Sequence, residues 1–109
     1  MENSAENTTL SENQRTIEKY SPILRKTVAD YFAAQKIAEL EGTRPLTDMT
    51  FDNPTGPAVD AVLKGTFEIR SVHVNLLLEE PQIRVSVAPN VELVITGMWA
   101  HDIIVKAEV

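Results

Sequence analysis

Cysteine is absent from the 109-residue sequence. Disulfide bonds, thiolate nucleophiles and cysteine-ligated zinc or iron–sulfur sites are therefore excluded. The absence also fits a reducing compartment, because disulfides are concentrated in secreted and periplasmic proteins. The N-terminal residues have neither the basic nor the apolar region of a secretory signal, so we expect a cytoplasmic location.

Long apolar runs and an excess of basic residues are also missing. Runs such as 76–78 and 103–105 span three residues, whereas a bilayer-spanning helix needs about 20. The 16 acidic and 10 basic residues give a formal net charge of −6. Because nucleic-acid-binding proteins normally present a basic face, we predict neither a membrane nor a nucleic-acid partner.

Recognisable catalytic motifs are absent too, including G-x-S-x-G, GxGxxG and GxxxxGK. The two histidines, His73 and His101, have no metal-binding spacing such as HxxxH. Glu79 and Glu80 are adjacent at a turn, where successive side chains point apart. We therefore predict a non-enzymatic protein without a metal or cofactor.

Helical signals dominate the first part of the chain. Ser21 and Pro22 form a start signal, and apolar residues then follow at helical spacing as far as Gly42, which ends the pattern. The sequence predicts a main helix at about 22–41 and a short helical turn at about 12–20, with the proline separating the two.

The domain boundaries follow from composition. Residues 1–11 are polar and acidic, which predicts a disordered tail ahead of a single domain at 12–109. Residues 42–57 contain several prolines and glycines and predict a long loop with a short extended piece. The next stretch, 57–64, is compatible with either a helix or a strand.

The remaining sequence alternates apolar and polar residues, which is typical of strands. Alternation at 67–78, with a bulge near Arg70, and then at 82–87 and 91–96 predicts an antiparallel β-meander. A last strand at 103–109 brings the total to about four or five strands packed on the helix. The predicted class is therefore α+β.

Three apolar residues fall out of phase with the core positions of the predicted strands: Leu77, Val94 and Ile104. An apolar outer face and an uncapped final strand expose surface that proteins usually cover. We therefore expect a homo-oligomer.

A second candidate interaction surface is the turn that follows Gly97. It contains Met98, the only tryptophan, Trp99, and His101. Tryptophan and methionine are enriched at protein interfaces, but a tryptophan can equally close one end of a core. Both interpretations stay open for Trp99.

Basic side chains suggest a further possibility, an anion site. Guanidinium groups bind phosphate and carboxylate in a bidentate manner. The candidates for such a site are Arg44, Arg70, Arg84 and His73.

These features favour a non-catalytic interaction or regulatory protein. It would act as a homo-oligomer and bind another macromolecule, as accessory, inhibitor or adaptor proteins of phage and bacteria do. One alternative is a structural subunit of a virion or secretion apparatus. The other is a binder of small anionic ligands.

Overall fold

The structure, a computed structural model, describes residues 4–76 and 79–108, with side chains from residue 12 onward. The order of elements is α, β, α, three strands and α. The seven elements are α1 (Ser4–Glu41), β1 (Met49–Asp52), α2 (Gly56–Lys64), β2 (Ser71–Asn75), β3 (Gln82–Ala88), β4 (Val91–Ile95) and α3 (Gly97–Glu108).

α1 is one continuous helix, so the predicted break at Pro22 is wrong. Proline removes one N–H donor from the helix, but Pro22 itself lies on the exposed side. Tyr20 and Leu24, on either side of it, are both buried against the body of the protein. The Ser21 hydroxyl also donates a hydrogen bond to the Ile17 carbonyl. Burial of the flanking residues thus holds the helix through the proline.

The helix also begins earlier than the sequence indicates. Its backbone is helical from Ser4, within the stretch 1–11 for which we predicted disorder, whereas residues 1–3 lie outside the described part. Extending an existing helix costs much less than starting one. Once later turns are packed, polar residues ahead of them can therefore continue the helix.

The four strands form one antiparallel sheet in the order β1-β4-β3-β2, which confirms the predicted α+β class. Strands β2, β3 and β4 are the predicted meander, with a turn at Pro89 and Asn90 where Asn90 has a φ of 64°. The expected irregularity near Arg70 is absent, because β2 begins only at Ser71. A register shift lies instead at Ser86 to Ala88.

The connection at 42–57 contains a strand of the sheet. β1 pairs with β4 on the far side from β3, with Met49 opposite Ile95. The open stretch at 57–64 is helical, because Thr55 caps α2 by accepting a hydrogen bond from the Ala58 N–H at 3.3 Å.

The predicted last strand at 103–109 is wrong for residues 103–108, because these belong to α3, and Val109 lies outside the described residues. Its buried residues Ala100, Ile103 and Ala107 follow helical spacing, while Val105 is 47% exposed. The apolar residues at 103, 105 and 107 alternate as in a strand, because the exposed Val105 falls between the two buried residues of the helix. This helix, and not a fifth strand, packs beside α1.

The core lies between one face of the sheet and the helices. The inward residues of β3 and β4 meet the buried face of α1, and Tyr31 of that face is fully buried. The largest fully buried side chains are those of Tyr31, Leu24, Ile83, Leu93, Ile95, Ile103, Val28, Val85 and Val91.

Gly97 makes the turn from β4 into α3 with a φ of +66°. A Cβ at this position would lie 3.1 Å from Oδ1 of Asp48. We expect Gly97→Ala to lower the free energy of unfolding by about 1–2 kcal/mol, because the left-handed backbone disfavours a side chain. Gly56→Ala is the matched control, since its Cβ would have no atom within 4 Å. Urea unfolding measures both, and equal stability of the two variants would contradict the prediction.

The end of α3 is tied to α1 by an ion pair between Lys19 Nζ and Glu108 Oε2 at 3.0 Å, and the Tyr20 hydroxyl donates to the same oxygen at 3.2 Å. Lys19, first by its hydrogen bond and then by its charge, lowers the pKa of Glu108, and the Tyr20 hydrogen bond lowers it further. The pair therefore stabilises the fold at neutral pH, and this stabilisation disappears as the pH falls through the lowered pKa.

We expect Lys19→Ala to raise the pKa of Glu108 toward its ordinary value of 4.5, because the main cause of the shift is removed. An NMR titration that follows the carboxyl carbon of the Glu108 side chain measures this pKa. Lys26→Ala, which removes a separate pair with Asp30, should leave that pKa unchanged. A Glu108 titration that is the same in wild type and Lys19→Ala would refute the assignment.

Candidate binding groove between α1 and α2

The three candidates that follow Gly97 lie in the first turns of α3. The Met98 side chain is 74% exposed, and His101 is exposed as well. Trp99 is partly buried and packs on the core, with its ring edge-to-face against Tyr31 at 5.2 Å between centroids. Of the two interpretations left open for Trp99, the structure therefore supports the role in the core.

We expect Trp99→Ala to destabilise the protein by about 3 kcal/mol, the range for removing a large aromatic group from a core. Met98→Ala, one residue away but exposed, should change stability by no more than about 0.5 kcal/mol. Thermal and urea unfolding compare the two variants. A near-neutral Trp99→Ala would show that the ring contributes little to the core.

The apolar outer face that led us to expect self-association is not found among the described residues. Val94 does face outward, but it is only 8% exposed between Thr50 and Arg84 in register. Ile104 lies in α3 and packs partly against the core. Leu77 falls outside the described residues. The other outward positions of the sheet are polar: Asp52, Ser71, His73, Asn75, Gln82, Ser86 and Glu92.

Two of the four anion candidates come together on this outer face. His73 of β2 lies directly opposite Arg84 of β3, and both line a shallow depression of about 430 Å³. Arg44, on the exposed connection after α1, and Arg70, just ahead of β2, do not line it. The four candidates therefore do not all line one depression.

Arg84 is also already neutralised. Its Nη1 donates to Asp52 at 2.8 Å and to Glu92 at 2.6 Å, and Nε donates to Gln82 at 3.3 Å. The pKa of Arg84 is raised, first by the hydrogen bond to Asp52 and then by the one to Glu92. With two carboxylates on one guanidinium, this group has little positive potential left for an external anion.

A larger concave surface lies elsewhere, in a groove of about 700 Å³ between the second half of α1 and α2. Its floor is apolar. Phe32 and Phe51 stack at 6.5 Å between centroids, and Val62 and Phe67 are buried beneath them. The small residues Ala29 and Ala33 of α1 leave the groove open along one side.

The rim of the groove is basic. Arg25, Lys36 and Lys64 line it, against a single acid, Glu39. The Arg25 guanidinium lies 4.9 Å from the centre of the Phe67 ring, which holds its charge above the floor. This local excess of positive charge stands out on a chain whose net charge is −6.

These basic groups are largely unpaired. Lys64 forms an exposed ion pair with Asp60 at 3.0 Å. In the part of the chain whose side chains are described, Arg25 and Lys36 have no carboxylate within ion-pair distance. Their potential is therefore available to a ligand in the groove.

Exposed apolar side chains occur on both helices that form the groove. Leu63, which lines it, is 55% exposed, and Ile37 and Leu40, near the end of α1 but not among the lining residues, are 55% and 78% exposed. Gln35, a lining residue, has a buried Oε1 atom that receives no hydrogen bond from any described residue. Buried acceptors without a donor are costly, which makes this atom a candidate contact for a ligand.

One of the two walls of this groove could be recognised from the sequence. Arg25, Ala29, Phe32 and Lys36 recur at spacings of three and four, which place them along one side of a helix. The opposite wall was not recognisable, because the stretch 57–64 could equally be a strand. Nor could sequence show that β1 places Phe51 beneath the helix.

Other kinds of site are not evident. Within 12–76 and 79–108, no group of three or more histidine, aspartate or glutamate side chains is arranged to hold a metal ion. No helix in the described ranges is long and apolar enough to cross a membrane. Comparison of the chain with protein-family models, curated proteins and solved structures found no match.

Proposed function

We propose that this protein is a non-catalytic interaction module and that it binds a segment of another protein in the α1–α2 groove. The observation that carries the proposal is an apolar aromatic floor enclosed by basic side chains, Arg25, Lys36 and Lys64. Apolar surface supplies affinity through its removal from water, and surrounding charges supply selectivity.

The shape of the groove favours a polypeptide over a small molecule. Small-molecule pockets enclose most of their ligand, whereas this groove is open to solvent and its lining residue Leu63 is 55% exposed. Exposed contiguous apolar surface of this kind is typical of protein–protein contacts. The anion-binding alternative has less support, since Arg84 is held by Asp52 and Glu92.

The proposal still includes a homo-oligomer, but the apolar contact surface for it would be on the helices and not on the sheet. The outer face of the sheet is polar in the described residues, so it offers no apolar contact area. Leu63 in the groove and Ile37 and Leu40 near the end of α1 are exposed apolar residues. A second copy of the chain would cover them.

Site-specific photocrosslinking in the native host tests the proposal. A benzoylphenylalanine at Ala33, which lines the groove, should form a covalent protein adduct, whereas one at Thr50 on the polar outer face should not. Leu63→Glu should abolish the Ala33 adduct by placing a charge in the groove. Val105→Glu, a comparable exposed position on α3, should leave the adduct intact.

The mass of the adduct distinguishes the partners. A heterologous mass supports the proposed function, and the mass of a dimer identifies a second copy as the occupant. Equal adducts at Ala33 and Thr50, or an Ala33 adduct that still forms in Leu63→Glu, would contradict the assignment of the groove as the binding site.

A further inference from the structure

From the charge and geometry of the groove we infer the chemistry of its occupant: an amphipathic helix whose apolar face is flanked by acidic residues. The inference rests on the proposed function and specifies the partner class for the same site. It is carried by three features of the groove: the placement of the basic groups, the composition of the floor, and the walls.

The basic groups are placed for carboxylates at defined spacing. Arg25 and Lys36 are eleven positions apart on α1, which is about 16 Å along the helix axis. Lys64 lies on the opposite wall, in the last turn of α2. An occupant in the groove would thus meet positive charge on both sides, with two of the charges separated by about three turns of its own helix.

The charge of the groove is opposite in sign to the net charge of the chain. Among the described lining residues, Glu39 is the single acid against three bases, and Asp60 pairs with one of them, Lys64, whereas the chain as a whole carries −6. A basic segment would be attracted to the rest of the surface but repelled at the groove. An acidic segment would be repelled elsewhere and attracted at the groove, which restricts its approach to this site.

The floor matches one face of a helix. Phe32, Phe51 and Phe67 line the groove together with Val59 and Val62 of α2. A helix lying in an apolar groove inserts residues at positions i, i+3 or i+4, and i+7. The small side chains of Ala29 and Ala33 allow the backbone of such a helix to come close to α1.

The walls favour a helix over an added strand. A strand would pair with the backbone of a sheet edge, but among the described lining residues only Phe51 belongs to the sheet. The others belong to α1, to α2, or to the segment just after α2, which supplies Gly65 and Phe67. Gln35 offers one polar contact: rotation of its side chain would bring the unsatisfied Oε1 atom to a donor on the occupant.

Peptide display against the full-length protein tests the inference directly. The library encodes helical peptides of about 16 residues, roughly 24 Å long, with randomised apolar and flanking positions. We expect selected sequences to combine the i, i+3 or i+4, i+7 apolar pattern with an excess of Asp and Glu at the flanks. The affinity of the best peptide, measured by fluorescence anisotropy, should weaken about tenfold or more between about 0.1 and 1 M salt.

Charge reversal provides the matched variants. The double variant Lys36→Glu/Lys64→Glu should bind the acidic peptide at least tenfold more weakly. Peptides selected against this variant should have basic flanks instead. Lys26→Glu and Lys106→Glu reverse equally exposed lysines away from the groove and should retain binding. Circular dichroism of each variant confirms that the fold is kept.

Selected peptides without an acidic excess, no selected peptide at all, or binding unaffected by Lys36→Glu/Lys64→Glu would overturn the inference. The failure is distinguishable from that of the proposed function. If the photocrosslink at Ala33 still traps a heterologous protein, the groove is a binding site and only the chemistry of its occupant is wrong. If that adduct is absent too, both proposals fall.

Discussion

The packing of one side chain, Tyr31, organises the contacts on which the rest of the structure depends. Its ring is fully buried and meets Phe32 and Trp99 edge-to-face at 5.0 and 5.2 Å between centroids. Its hydroxyl oxygen accepts a hydrogen bond from the Met49 N–H at 3.2 Å. One residue of α1 therefore fixes the position of α3 and of the first strand, and burial raises the pKa of its hydroxyl above 10.0.

The groove is a consequence of that arrangement. Because Tyr31, Leu24 and Val28 turn one face of α1 into the core, the neighbouring face, with Phe32 and Lys36, is directed toward α2. The N–H contact to Tyr31 also fixes β1 at its edge of the sheet, which places Phe51 under the same helix. The proposed binding surface is thus built from residues adjacent to core residues.

The basic side chains of the groove differ from those of the outer sheet face in whether they are paired with acidic groups. On the outer face of the sheet, basic and acidic residues neutralise one another around Arg84. In the groove, Arg25 and Lys36 keep their charge without a described carboxylate partner. The proposed function and the inferred partner chemistry both follow from this difference, since an unpaired charge next to apolar surface can be used in recognition.

The sequence by itself determined the elements whose signals are local. Helical spacing and Gly42 defined the end of α1, alternation defined β3 and β4, and Asn90 marked their turn. Only the tertiary structure decided that α1 continues through Pro22 and that residues 97–108 form a helix. The physical reason is that burial of residues on distant elements outweighs local preference.

The same distinction applies to the candidate site. Arg25, Phe32 and Lys36 recur at helical spacing in the sequence, but the apolar sheet face that the sequence suggested is not found among the described residues, and the four anion candidates do not all line one depression. A groove needs two walls and a floor from separate parts of the chain. Their meeting is set by the packing around Tyr31, which no local pattern of residues encodes.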